Sequence, residues 1–217
     1  MRNFEDGANG RVIFLDRDGV LNVDKYGAYR PEQLELIDGV VEGLGILQSL
    51  GFRLMIVTNQ SAIGRGDVTA DQVNHFHRLL LGVLAEQGIH IAEIFLCPHD
   101  AQFGVGDFKK DCACHKPKPG LFFQAADQYG LDLSECYFIG DKKSDVVAGF
   151  NAGCQTILVE TGILDDEHKY PGVSPRYRVR SLVDAARIVA GELALEQLKS
   201  QKTFVPPFTA ELCDRLG

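Results

Sequence analysis

No stretch of this 217-residue chain approaches the roughly 18–20 consecutive apolar residues that a membrane-spanning helix needs. The first ten residues, Met1 to Gly10, are polar and lack the apolar core of a secretory signal. No block of Lys and Arg stands out against a formal net charge of −8, which argues against a general nucleic-acid surface. Internal repeats and low-complexity segments are also missing. The expectation is a cytoplasmic monomer that binds neither membrane nor nucleic acid. Thiols stay reduced in that compartment, so clustered cysteines point to metal or catalysis rather than to disulfides. Cysteine is scarce: of six, three lie between 97 and 114. Cys136 and Cys154 sit beside apolar runs and read as small core residues, while Cys213 is isolated.

What is present is ordinary globular material, 45% hydrophobic and 24% charged, enough for one substantial core with an inserted loop. Apolar runs predict strands over 11–15, 53–57, 91–96, 137–139 and 156–159. Helical spacing predicts helices over 39–51, 69–88, 119–130, 144–153 and 181–198. Thr69 with Gln72 resembles a capping box, and Pro119 suits a first helical turn. Alternating strands and helices predict an α/β fold, a parallel sheet wound on both faces. One domain is expected over 1–198, with a Cys-, Pro- and Gly-rich loop at 97–116 and a tail at 199–217 containing Pro206-Pro207. In such sheets ligands bind beyond the carboxyl ends of the strands. Asp16, Thr58, Cys97 and Asp141 each follow a predicted strand, so they should meet at one edge.

Four segments carry chemistry. Asp16-Arg17-Asp18-Gly19-Val20-Leu21 places two carboxylates at a buried strand end, where a cation or reacting group would have to compensate them. An Asp-Gly turn explains the same residues equally well. Thr58-Asn59-Gln60-Ser61, followed by Gly64-Arg65-Gly66, offers a hydroxyl and backbone N–H groups for phosphoryl oxygens, or else a polar turn. Lys116-Pro117-Lys118-Pro119-Gly120 holds a cation stiffly at a helix start. In Gly140-Asp141-Lys142-Lys143-Ser144-Asp145, Asp141 could bind Mg²⁺, with Asp145 fixing the loop, or Asp141 and Ser144 could simply cap a helix. Cys97-Pro98-His99 with Cys112-Ala113-Cys114 supplies three sulfurs and one imidazole, a closed structural zinc set. Buried thiols in a loose loop, or a redox pair, remain open on spacing alone.

In this order at successive strand ends, the four segments resemble the motifs of the haloacid dehalogenase superfamily of phosphotransferases over residues 11–160. The resemblance implies a three-layer Rossmann-like fold without a large cap domain. It also implies Asp16 as nucleophile, Asp18 as general acid and base, and Thr58 and Lys116 as phosphate ligands. Mg²⁺ would be held by Asp16, the carbonyl of Asp18, and Asp141. With the cysteine loop and Asn22 the chain is further similar to the zinc-containing heptose-bisphosphate phosphatases and the related histidinol-phosphate phosphatases. A small phosphorylated sugar is then the expected substrate, with Zn²⁺ on Cys97, His99, Cys112 and Cys114. A zinc-stabilised binding module without activity is the reading from another class, and the presence of Asp16, Asp18, Lys116 and Asp141 argues against it. Candidate substrate contacts are Arg17, Asn22, Asp24, Asn59, Gln60, Ser61, Arg65 and His115, though Arg17 could equally be structural and His115 could pack on the zinc site. His115 stands where the heptose enzymes usually carry Arg. His75 and His77 lie two apart on one helix and read as surface or packing residues.

Overall fold

The computed structural model describes residues 10–163 and 166–202. The polar N-terminal residues 1–9, the Pro206-Pro207 tail and Cys213 lie outside them.

Six parallel strands form one sheet in the order β3-β2-β1-β4-β5-β6. They are β1 (Val12–Leu15), β2 (Arg53–Asn59), β3 (Ile91–Cys97), β4 (Tyr137–Gly140), β5 (Gln155–Val159) and β6 (Tyr177–Val179). The helices are α1 (Val40–Ser49), α2 (Ser61–Arg65), α3 (Ala70–Glu86), α4 (Gly120–Tyr129), α5 (Lys143–Ala152) and α6 (Leu182–Lys202). The order reverses between β1 and β4, so a crevice opens beyond their carboxyl ends. The expected doubly wound architecture is therefore present. Residues 16–39 return to α1 through short turns and build no cap domain.

Alternation along β1 explains the two layers. Ile13 and Leu15 point into the core shared with Leu44 and Leu47 of α1, Leu80 and Leu84 of α3, and Ala185 and Val189 of α6. Val12 and Phe14 point the opposite way, onto Leu121 and Phe122 of α4 and Ala148 of α5. Phe122 stands edge-on to both Phe14 and Phe138, with centroids 5.1 and 4.9 Å away. Cys136 and Cys154 are buried in this second layer, as their apolar neighbours suggested.

Local chemistry sets the boundaries. Thr69 caps α3 reciprocally with Gln72, an arrangement that stabilises a helix by about 1 kcal/mol. α4 begins one residue after Pro119, which occupies the capping position itself. Gly120 sits there because a Cβ would lie 2.4 Å from the Ala113 carbonyl, clamping the helix start against the cysteine loop. Two expectations need correction. Gly64-Arg65-Gly66 belongs to the single-turn helix α2 and its cap rather than to an open anion-binding loop. Gly64 is required because a Cβ would lie 2.4 Å from the Pro98 carbonyl. The last helix runs to Lys202, beyond the boundary expected at 198. Among the described residues no helix is long and apolar enough to cross a membrane.

Candidate active site

The strand ends converge as expected. A cavity of about 260 Å³ is lined by Asp16 and Asp18 after β1, Thr58 to Ala62 at the end of β2, Lys116, and Lys142, Ser144 and Asp145 after β4. Asp24, Tyr26, Arg65 and Ile163 complete its rim.

Lys116 is the hub. It is 4% exposed, and its Nζ lies 2.9 Å from Asp16, 2.7 Å from Asp145 and 3.1 Å from the Val57 carbonyl. Burial opposes its charge, but Asp145 and Asp16 outweigh that and raise its pKa. Asn59 fixes this lysine's backbone from both sides, accepting from its N–H and donating to its carbonyl. Burial, with Asp145 and Asp18 nearby, pushes the Asp16 carboxyl up to about 6 against the pull of Lys116. Thr58 accepts a hydrogen bond from Gln60 at 3.0 Å, which leaves its own proton available to an oxygen in the cavity.

Asp141 is the anomaly. Its side chain is fully buried, and neither carboxylate oxygen has a hydrogen-bond partner. Burial, then Asp145 and Asp16, drive its pKa up to about 9. Buried carboxylates without donors are strongly disfavoured unless a cation meets them. Oxygens of Asp16, Asp141 and Asp145 lie within 4.8 Å of one another. Gly19 and Gly162 close around Asp141, where a Cβ on Gly162 would fall 1.9 Å from Oδ2. Three carboxylates against one buried lysine, two of their oxygens orphaned, fit a divalent hard cation. Asp145 also accepts the N–H groups of Asp141 and Lys142 and so holds the turn.

The second cluster lies on the neighbouring loop. Sγ atoms of Cys97, Cys112 and Cys114 are 3.1–3.5 Å apart, with His99 Nδ1 3.2 Å from Cys114 and 3.5 Å from Cys97. All three thiols are free, and the set suits a tetrahedral soft metal, whose sulfurs about 2.3 Å from a centre must face each other. Lys116 follows two residues after Cys114, so this cluster and Asn59 together fix where the hub enters the cavity.

Several expected substrate contacts sit elsewhere. Arg17 is fully buried, and its guanidinium is committed to Asp18, Ala28 and His77. Asn22 is also fully buried and donates to Asp18 and to the Val23 carbonyl. His115 turns its Nδ1 toward Cys97 at 3.7 Å and lines a separate groove with Lys118 and Asp111. For Arg17 and His115 this geometry favours the supporting role that the sequence left open, and Asn22 likewise faces Asp18 rather than the cavity. Ser61 reaches the rim but donates to the His99 carbonyl. Asp24 and Arg65 do line the cavity, paired with Lys142 and with Asp67 and Asp100. Lys142 and Tyr26 were missed. The basic residue beside Asp141 was the available signal for the first; Tyr26, 86% exposed with a positive φ of 58°, gave none.

A parallel sheet with this strand order, carrying two strand-end aspartates, a threonine and a buried lysine around one cavity and an orphaned aspartate beside Asp16, defines a haloacid dehalogenase-like phosphatase. The model of the HAD-hydrolase-like family matches residues 113–185. The D-glycero-beta-D-manno-heptose-1,7-bisphosphate 7-phosphatase of Pasteurella multocida is 37% identical over 184 residues, covering 83% of this chain and 97% of its own. The enzyme of that name from Vibrio cholerae is 40% identical, over 70% of this chain and 82% of its own. The D,D-heptose 1,7-bisphosphate phosphatase of B. bronchiseptica, solved with magnesium and phosphate, superposes with a TM-score of 0.74 at 30% identity, covering 84% of this chain and 99% of that one. The chain belongs to the family of the heptose-bisphosphate phosphatases.

Proposed function

We propose that the protein is a cytoplasmic, monomeric, magnesium-dependent phosphatase that removes the 7-phosphate from D-glycero-D-manno-heptose 1,7-bisphosphate. One observation carries the reading: Asp16, Asp18, Thr58 and Lys116 share a cavity, and the orphaned Asp141 lies just behind it with an oxygen within 4.8 Å of those of Asp16 and Asp145. The names of the relatives favour the sugar and its β anomer.

The residues divide the chemistry as follows. Lys116 and Thr58 bind the phosphoryl oxygens. An Asp16 oxygen attacks phosphorus as the P–O bond to the sugar breaks, and Asp18 gives a proton to the departing oxygen. Asp18, now a carboxylate, takes a proton from water, which attacks the aspartyl-phosphate; phosphate leaves and Asp16 is restored. Asp16, Asp141 and the Asp18 carbonyl would hold magnesium, which supplies charge neutralisation to nucleophile and phosphate alike. Cys97, His99, Cys112 and Cys114 would hold a structural zinc, since four protein ligands leave no open position for catalysis.

The test is phosphate release measured side by side from both anomers of the heptose bisphosphate and from histidinol phosphate. The β heptose bisphosphate is expected to give the highest kcat/KM, and markedly faster turnover of histidinol phosphate would overturn the substrate. A second expectation concerns the cradle. Gly162→Ala forces Asp141 to move, so the magnesium concentration for half-maximal rate should rise about tenfold or more. A magnesium titration matching that of the native enzyme would remove Asp141 from the metal site.

A further inference from the structure

Asp18 has to serve two half-reactions from one place, and four donor groups hold it. Asn22 donates to Oδ1 at 2.8 Å and Gln60 to Oδ2 at 3.1 Å. Arg17 supplies the rest: Nη2 lies 2.8 Å from Oδ1 and 2.5 Å from Oδ2, and Nε 3.2 Å from Oδ1. What holds Asp18 is therefore largely decided by what holds Arg17.

Arg17 has no exposed surface, and its anchors come from two elements outside the four chemical segments. Nη2 donates to the Ala28 carbonyl at 2.6 Å, on the loop that carries Asp24 and Tyr26 to the rim. Nη1 lies 3.0 Å from His77 Nε2, and the ring of Phe76 lies under the guanidinium, 4.8 Å from Cζ to its centroid. Phe76 and His77 are consecutive on α3 and both buried. A guanidinium only donates, so His77 Nε2 must accept and its proton sits on Nδ1. Burial and then Arg17 keep this imidazole's pKa down to about 4, which preserves that neutral acceptor. The rest of the inward face is Val73, Phe76, Leu80 and Leu84. A helix that needed only packing would place an aliphatic residue at 77 and avoid desolvating an imidazole.

We propose that His77, with Phe76 beneath, is a positioning residue: it clamps Arg17 from α3 and so fixes the Asp18 carboxylate at the angle the proton transfers require. His77 touches neither substrate nor reacting atoms and works through Arg17. This inference rests on the assignment of Asp18 as general acid and base.

The experiment separates proton transfer from general damage by the leaving group. An alkyl phosphate needs its departing oxygen protonated, whereas p-nitrophenyl phosphate does not. The quantity compared is kcat/KM, which reports the first phosphoryl transfer. Asp18→Asn is expected to lose about 100-fold more on the alkyl phosphate than on the aryl one. His77→Leu should show the same selective loss at about tenfold. His77→Gln retains an acceptor near Nη1 and should recover to within about threefold of native. Phe76→Leu keeps an apolar group of similar size and should lose selectively in the same direction, which keeps the test valid should His77→Leu fail to fold. Equal losses on both substrates in the His77 and Phe76 variants, alongside a selective loss in Asp18→Asn, would overturn the clamp alone. No selectivity in Asp18→Asn would instead overturn the acid–base assignment.

Discussion

Asp16→Asn is expected to lower kcat at least ~10⁴-fold while leaving the fold intact. An amide oxygen is a poor nucleophile, yet the substitution changes shape hardly at all. The site also has a carboxylate to spare electrostatically. Lys116 keeps Asp145 at 2.7 Å, and Asp16 is one of three acidic groups within 4.8 Å. Removing one partner from a buried pair is costly when it strands the other charge, here by about 3–5 kcal/mol. Asp145 prevents that, so unfolding cannot explain the lost rate. Thermal melting within a few degrees of native, together with the collapse in kcat, is the expected pair of results. A variant within tenfold of native would remove Asp16 as nucleophile.

The second large effect concerns the loop. Protein purified without chelator should carry about one equivalent of zinc by elemental analysis, and Cys112→Ser should carry almost none. Residues 98–115 are then expected to become accessible to protease, and kcat/KM to fall roughly 100-fold because Lys116 enters the cavity from this loop. The sheet should persist in the variant, since the first core contains no residue of the loop and the second meets it only through Cys97, Cys112 and Cys114. Absence of zinc in the native protein, or unchanged rate in a zinc-free Cys112→Ser, would contradict the assignment.

The contrast between these two sites shows how far the amino-acid sequence could be read. Short apolar runs ending in Asp or Thr locate β1, β2 and β4 and so place Asp16, Thr58 and Asp141 at one edge, because strand direction fixes where each run ends. β6 escaped because its three residues at a sheet edge, half-buried Tyr177 and Val179 around exposed Arg178, carry no apolar run. α2 escaped because two glycines in Gly64-Arg65-Gly66 read as a loop, while one serves close packing and the other a cap. Side-chain direction was the deeper limit. Sequence position puts Arg17, Asn22 and His115 beside reacting groups, but Arg17 donates to Ala28, the Asn22 amide nitrogen to Val23, and His115 turns Nδ1 to Cys97. The reverse holds for His77: 60 residues from Arg17 along the chain, it packs against the guanidinium. Helical spacing separated it from exposed His75, and nothing in the spacing named its partner.

The most direct measurement traps the intermediate. With p-nitrophenyl phosphate, whose departing oxygen needs no proton, Asp18→Asn should form the aspartyl-phosphate faster than it clears it, because the base for the second step is gone. Borohydride reduction of that variant during turnover of p-nitrophenyl phosphate converts an acyl-phosphate aspartate to homoserine, and peptide mass spectrometry reads its position. Homoserine at residue 16, dependent on substrate and magnesium, is the predicted result. Homoserine at another aspartate, or none at residue 16 while phosphate is still released, would contradict it.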